Sequence, residues 1–454
     1  MSRAKHWLRG IASRTLREGR SLRRLLTELE ANERLPLEVL QARQNELLRA
    51  HVCRAGRNVP YYRDLFARLG LSPEDIQTVE DLQRLPILEK EDVRGQEERF
   101  VDPTVRWTFK ATTSGTTGKP LRLFRDYHNV NLENAALWRQ RRWAGYDLGQ
   151  RRATLRGDLI VPGERARPPF WVHLPATRQL LMSSYHMSEA FLPDYLARLR
   201  AFRPDAVEAY PSSAYRLAFF MAQHGEEPLG VKGVFTSSET VFDHQLAVIE
   251  RMLGPVFDYY GTGERSALFC QCEERRYHYA MDYSVVEFMP GRDGMQRVIG
   301  TTLHNAAMPF IRYDSGDLVE KDSEPCPCGR TFPTVRSVVG RQDDYVVTPS
   351  GRWLGRLNLI FAGVPNVIES QIVQERIDAV RFLILPAPDF GPADRAVLAE
   401  RARERLGSEV TFTIEEVGTI PRTSRGKYQL VVSHLTPEQT GHPAQPPPDG
   451  NAAP

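Results

Sequence analysis

The sequence has no long apolar run, little cysteine and almost no excess charge of either sign. No stretch approaches the ~20 consecutive apolar residues that span a bilayer, which excludes a helical membrane protein. Charges interrupt the first residues throughout, so the apolar centre of a secretory leader is missing. Five cysteines are too few, and odd in number, for a disulfide framework; a reducing, cytoplasmic setting is expected. Lys and Arg number 60 against 57 Asp and Glu, a net charge of +3, which gives no reason to expect a nucleic-acid partner. What remains is ordinary: 41% hydrophobic and 26% charged residues over 454 positions describe a globular chain too long for one core.

Residues 1–24 carry eight basic side chains against the single acid Glu18, with Trp7, Leu8, Ile11, Leu16 and Leu22 at roughly helical spacing. Such a helix either packs on its own domain or lies on an anionic membrane surface; packing is the expectation adopted. Apolar residues at three- and four-residue steps predict helix over 36–70, and 71–100 reads as short helices and turns. Residues 1–100 are thus a helical part of a large domain. From 101 to 340, short β-prone runs (Ala153–Leu155, Ala206–Ala209, Val231–Thr236, Val256–Tyr260) alternate with helical stretches at 190–202, 212–225 and 243–253. The fold class is therefore α/β, with mostly parallel sheets covered by helices. Residues 341–434 read as a small α+β domain, and the proline-rich 435–454 as a disordered tail.

Five stretches carry chemistry. Thr112–Pro120 contains Ser114, Gly115, Thr116, Thr117, Gly118 and Lys119. Glycines let backbone N–H groups approach an anion, hydroxyls add donors and lysine adds charge. Only Thr116 and Thr117 separate the last two glycines before Lys119, so this is not a Walker loop. Tyr259–Glu264 includes Tyr260, Gly261, Thr262 and Glu264 and follows an apolar strand, at the edge where open α/β sheets bind ligands. Ile311–Asp317 ends in Asp317, a carboxylate able to accept from two ribose hydroxyls. Arg341 and Asp343 stand at the boundary between domains, and Lys427 ends the loop Pro421–Lys427. Read singly, each is as well explained as a turn or a surface charge.

In this order the five stretches resemble the adenylate-forming enzyme superfamily. Asn58–Tyr62, Leu85–Lys90, Trp138–Gly145 and Phe235–Thr240 are similar to its phenylacetate–coenzyme A ligase family, and within it to proteins of capsular polysaccharide biosynthesis. The resemblance covers roughly residues 20–435. It implies that ATP and a carboxylic acid give an acyl-adenylate, from which a nucleophile, usually the thiol of coenzyme A, displaces AMP. By the same resemblance the 114–119 loop holds phosphates, Tyr260 packs on adenine, Glu264 binds Mg²⁺ and Asp317 holds ribose. Glu239 lies in an adenine-side segment, Arg341 reaches toward the nucleotide, Asp343 is a hinge, and Lys427 is the adenylation lysine of a mobile small domain. Two departures stand out. Gly263 replaces a hydroxyl residue before Glu264, and Asp314 adds a negative charge near the phosphates.

Cys272, His278, Cys326 and Cys328 fall in two short segments, and three thiolates with one imidazole suit a closed tetrahedral Zn²⁺ site of structural kind. The resemblance favours Cys272 over Cys270. The alternative is separate buried thiols, the reading taken for Cys53. Residues 168–173, Ser183–His186, Tyr210, Ser212 and Ser213 are candidate walls of the acid pocket. Three functions compete: coenzyme A ligation; adenylation with an amine, hydroxyl or carrier-protein thiol as acceptor in specialised-metabolite or polysaccharide biosynthesis; and a non-catalytic scaffold, which the presence of Lys427, Glu264 and Asp317 opposes.

Overall fold

The structure is a computed structural model. It describes residues 19–436 apart from 113–120, 157–159, 163–164, 292–293, 323, 342–344, 355–356, 362–363, 365 and 424–426, together with residue 439. Ser114 to Lys119, Asp343, the tail beyond residue 439 and the first eighteen residues therefore lie outside the described residues. The chain divides into two units. One runs to Val241 and resumes over Leu246–Gly340, and the other comprises Phe242–Gln245 and everything from Arg341.

The first unit opens with helices α1 (Arg20–Asn32), α2 (Leu37–Asn58) and α3 (Pro60–Leu69). The single helix expected over 36–70 is broken at Val59. A residue before proline is pushed to extended backbone, and Val59 sits at φ −89°, ψ 120°, while Pro60 starts α3. Gly70 then closes α3 in the left-handed region at φ +63°. Leu22, Leu25, Leu26 and Leu29 form one stripe of α1, buried against Leu132, Ala135 and Ala136 of α4 (Tyr127–Trp143). The part of the basic segment that is described is thus packed on its own domain. No helix among the described residues is long and apolar enough to cross a membrane.

A hairpin of β1 (Phe109–Thr112) and β2 (Arg122–Arg125) flanks the glycine–threonine stretch. Twelve further strands form one sheet: β3 (Arg152–Arg156), β4 (Trp171–Leu174), β5 (Gln179–Ser183), β6 (Ala206–Ala209), β7 (Gly233–Ser237), β8 (Val256–Gly261), β9 (Leu268–Gln271), β10 (Tyr277–Tyr279), β11 (Ser284–Pro290), β12 (Gln296–Thr302), β13 (Tyr313–Lys321) and β14 (Thr334–Arg341). Their order is β11-β12-β13-β14-β10-β9-β8-β7-β6-β3-β5-β4. The block β5-β3-β6-β7-β8 is parallel and built on crossover helices; β4 and the paired strands from β8 outward add an antiparallel part. Helices α5 (Leu192–Phe202) and α6 (Pro211–Gln223) cover one face over Ala153, Leu155, Val207 and Val234. On the other face α4 covers Ala206, Phe235 and Phe257. Burial on both faces explains why these strands read as short continuous apolar runs.

In the second unit β17 (Val367–Arg376) and β18 (Ala379–Pro386) pair antiparallel, with β20 (Val431–Ser433) and β19 (Thr411–Glu416) added parallel at either edge. Helix α8 (Pro392–Leu406) buries Leu398, Ala402 and Leu406 in a core with Ile372, Phe382 and Ile384. The second unit also holds the short pair β15 (Val346–Val347) and β16 (Trp353–Leu354), whereas α7 (Asp243–Met252) buries Ile249 and Met252 in the core of the first unit.

Candidate functional site

Crossover connections place the loops after β3, β5, β6, β7 and β8 at the carboxyl edge of the parallel block, where ligands bind in open sheets. Tyr260 lies in β8 and Asp317 in β13. The Tyr260 phenol donates to Asp317 Oδ2 at 2.6 Å, joining the second and third motifs. Burial first, and then the Asp317 charge, holds that phenol far above its ordinary range, so it stays a donor. Asp317 is presented by a tight turn. Gly316 adopts φ +71°, its N–H donates to Asp314 Oδ1 at 2.8 Å, and the Asp317 N–H donates to Ser315 Oγ at 3.1 Å. The added charge of Asp314 is answered locally, by Arg297 at 2.9 Å.

Glu264 is buried, and its Oε1 accepts from the Tyr313 phenol at 2.9 Å. Among the described residues this is the hydrogen bond Glu264 makes, which leaves the second oxygen open to a cation, as a hard oxygen ligand requires. The turn before it is fixed by Thr262, whose Oγ1 accepts from the N–H groups of Ser266 and Ala267 at 3.0 and 3.3 Å. The hydroxyl that might have replaced the one missing at Gly263 is thus held by the turn. Strand β12 passes close enough that a Cβ on Gly300 would meet the Ser266 carbonyl at 2.3 Å, so this position admits only glycine. Arg125 of β2 donates to the Gly263 carbonyl at 2.6 Å, tying the hairpin that flanks the glycine–threonine stretch to the Glu264 turn. On the other side Arg265 pairs with Glu133, which also accepts from Tyr283.

The Leu85–Lys90 stretch buttresses the third motif. Leu88 N–H donates to the Arg312 carbonyl and the Leu88 carbonyl accepts from Asp314 N–H, both at 2.9 Å, and the Arg312 guanidinium reaches the Leu85 carbonyl at 2.6 Å. Glu239 Oε2 accepts from Ser212 N–H at 3.0 Å, at the first turn of α6. Among the pocket candidates, Ser183 Oγ lies 2.8 Å from His186 Nδ1, and the His186 ring stacks on Phe170 at 4.5 Å. Tyr210, Ser212 and Ser213 are buried, while His173 is exposed.

In the second unit, the backbone of Lys427 is bonded to Thr423. Its carbonyl accepts from Thr423 N–H at 2.9 Å and its N–H donates to Thr423 Oγ1 at 3.0 Å. Arg422 pairs with the buried Glu369 at 2.6 Å, and Tyr428 OH donates to the Ser370 carbonyl at 2.5 Å. Arg341 is the last residue of β14.

Cys272, His278, Cys326 and Cys328 converge, with their four donor atoms within 4.8 Å of one another. Cys272 Sγ and Cys326 Sγ are 3.6 Å apart, and Cys328 Sγ is 3.2 Å from His278 Nε2. Donors on a tetrahedral Zn²⁺ with bonds of about 2.3 Å to sulfur would stand roughly 3.8 Å apart, so the cluster has the right span. His278 Nδ1 donates to the Phe332 carbonyl at 2.7 Å, which leaves Nε2 with the lone pair facing the thiols. Burial pushes Cys272 up to about 12 and His278 down to about 4, so without a cation the Cys272 thiol keeps its proton and the imidazole is neutral. Cys270 sits apart in the apolar core between α4 and the sheet, and Cys53 is half-buried on α2.

Residues 346–434 match the family model of the CapK C-terminal domain. Protein CapK of Staphylococcus aureus is 25% identical over 392 residues, which cover 84% of this chain and 86% of CapK. Phenylacetate-coenzyme A ligase of Thermus thermophilus is 25% identical over 442 residues, covering 88% of this chain and 98% of that protein. A 2-hydroxyisobutyryl-CoA ligase, solved in its postadenylation state with R3-HIB-AMP, has the same fold, with a TM-score of 0.69 at 18% identity over 90% of this chain and 92% of its own.

Over most of its length the chain is thus similar to CapK and to phenylacetate-coenzyme A ligase, and it shares the fold of an acyl-CoA ligase. Sequence spacing gave no role to several residues that hold these motifs in place. Tyr313 and Thr423 lie inside motifs without an assignment, and Arg125 and Glu133 lie outside every motif. The partners of Tyr313, Arg125 and Glu133 are remote in sequence, so no local pattern marks them.

Proposed function

We propose that this enzyme activates a carboxylic acid with ATP as an acyl-adenylate and passes the acyl group to the thiol of coenzyme A. The observation that carries the reading is the Tyr260–Asp317 hydrogen bond beside the open oxygen of Glu264, on the carboxyl edge of the parallel block. The whole-length match to phenylacetate-coenzyme A ligase supports the acceptor.

A carboxylate resists substitution because its oxygen leaves poorly; adenylation supplies a good leaving group. The acid's oxygen attacks the α-phosphorus, and pyrophosphate departs. The step gathers negative charge, so it depends on donors placed in advance. In this reading Ser114, Gly115, Thr116, Thr117, Gly118 and Lys119 bind phosphates, and Tyr260 and Glu239 flank adenine. Gly261 and Thr262 shape the turn, and Asp317 accepts from the ribose hydroxyls. Glu264 would hold Mg²⁺, which when bound neutralises phosphate charge. Arg341 approaches the nucleotide, Asp343 serves as the hinge of a mobile small domain, and Lys427 supplies the cation for adenylation. Cys272, His278, Cys326 and Cys328 would hold a structural Zn²⁺ that staples the segment after Glu264 to the segment after Asp317. Reduced thiols at such a site suit a cytoplasmic location.

A second reading keeps adenylation and changes the acceptor to an amine, a hydroxyl or a carrier-protein thiol. The match of residues 346–434 to a CapK domain favours it. ATP–pyrophosphate exchange that depends on an added carboxylic acid tests adenylation, and a panel with no exchange would sink both readings. Release of AMP only when coenzyme A is added supports the first; release with other nucleophiles alone supports the second.

A further inference from the structure

Strand β3 carries Arg152, Thr154 and Arg156 on one face, since side chains two apart in a strand share a face. Parallel register sets Thr154 opposite Glu208 of β6 and Arg156 opposite Ser183 of β5. Glu208 is buried and its carboxylate is already claimed: Arg141 of α4 pairs with it at 2.6 Å, and Thr154 Oγ1 donates at 3.5 Å. Burial alone would raise Glu208, yet Arg141, Arg152 and Arg156 together hold it down to about 2. Three guanidiniums therefore share one carboxylate.

Arg156 is left as the surplus. It is half-buried at the carboxyl end of β3, its Nε is enclosed without a partner, and its Nη2 donates to the Tyr259 phenol at 3.3 Å. Among the described residues no carboxylate lies within 4.0 Å of it. A guanidinium cannot shed its proton, and an enclosed charge that shares its carboxylate with two other guanidiniums is under-compensated unless a ligand brings a second anion. Nearby, Ser184 Oγ is also enclosed without a partner. Sequence reasoning passed over Arg156 because an arginine ending a strand has no local signature.

We propose that Arg156 is a specificity-determining residue that binds a second anionic group on the acid substrate, so that the preferred substrates are dicarboxylic acids or acids with an equivalent distal anion. The inference rests on the adenylation reading for the identity of the reacting end. Two arguments place the distal group, rather than the reacting carboxylate or ATP, on Arg156. A guanidinium on the attacking carboxylate would withdraw the electron pair that the reaction uses, whereas on a distant group it only positions the substrate. Tyr259 and Tyr260 alternate across β8, so the side that joins Asp317 and the side that joins Arg156 are opposite faces of that strand.

The test compares straight-chain α,ω-diacids with monoacids of equal length, and phthalate isomers with benzoate, in pyrophosphate exchange by the unsubstituted enzyme, Arg156→Met and Arg156→Lys. The expected result is a diacid preference in kcat/KM. In Arg156→Met the diacid-to-monoacid ratio should fall by roughly 10- to 100-fold, the value of a charged hydrogen-bonded pair, through KM for the acid. Arg156→Lys should recover part of it. Equal use of both acid classes, an unchanged ratio in Arg156→Met, or a rise confined to KM for ATP would each overturn the assignment. Calorimetric titration of the diacids in the presence of a non-hydrolysable ATP analogue separates this from the reading beneath it. Diacid binding that is lost in Arg156→Met without exchange by any acid would retain the subsite and remove adenylation. No diacid binding at all would remove the subsite.

Discussion

The Tyr260 phenol and the Asp317 carboxylate meet at 2.6 Å, joining β8 to β13, strands that three others separate in the sheet. The bond fixes one oxygen of Asp317. Tyr260→Phe removes the donor while keeping the ring. KM for ATP in pyrophosphate exchange should rise about 10-fold, the worth of one charge-assisted hydrogen bond, and Asp317→Ala should raise it further. An unaltered KM in both variants would detach this pair from the nucleotide.

Lys427 is held at its backbone by Thr423, so its substitution should remove a charge without loosening the loop. Lys427→Ala is expected to lower pyrophosphate exchange by at least about 100-fold, in the range for removing one preorganised electrostatic group. A preformed acyl-adenylate should still be consumed by the variant. Intact exchange would remove Lys427 from the adenylation step.

The four donors of the cysteine–histidine cluster should bring down about one zinc per chain, measured by elemental analysis of protein purified without chelator. Cys326→Ser should lose that metal and also lower the melting temperature, since metal binding to such a cluster is coupled to folding. Loss of metal with no change in melting would deny it a structural role.

Asp258 gives a pH signature. It is buried between the Thr236 hydroxyl at 2.6 Å and the Tyr277 phenol at 2.8 Å, and burial pushes it up to about 7 despite both bonds. The folded state therefore keeps a proton that the unfolded chain releases near pH ~4. Stability should fall with rising pH between about 4 and 7, by at most about 1.4 kcal/mol per unit from this group, and level off above. Asp258→Asn removes the slope, so urea unfolding at pH 5 and pH 8 should show the variant gaining on the parent by up to a few kcal/mol at the higher pH. A constant difference would mean that Asp258 is ionised in the fold.

The parallel block was legible because its strands are buried on both faces and flanked by amphipathic helices: Ala206–Ala209 and Val256–Tyr260 stand out as continuous runs. The antiparallel part was not. Tyr277–Tyr279 is three residues long, and its neighbours β9 and β14 are set by pairing across the chain rather than by any local pattern. The same division holds at the site. Tyr260, Glu264 and Asp317 sit in recognisable turns, whereas Tyr313 reaches Glu264, and Arg141 reaches Glu208, only because the sheet brings remote segments together. The break between α2 and α3 was written in Pro60, but apolar periodicity runs through it and hides it.

Trp143 occupies an unusual place. Its indole N–H donates to Glu33 at 2.7 Å, the Arg330 guanidinium lies 4.2 Å from its ring centroid, and the ring meets that of His278 edge-on at 6.1 Å. An indole so placed feels both the imidazole of the cluster and the cation that follows its last cysteine. Emission from Trp143, compared with that of a Trp143→Phe variant to remove the signal of the other five tryptophans, is therefore expected to respond to the protonation or occupancy of those four donors without a label.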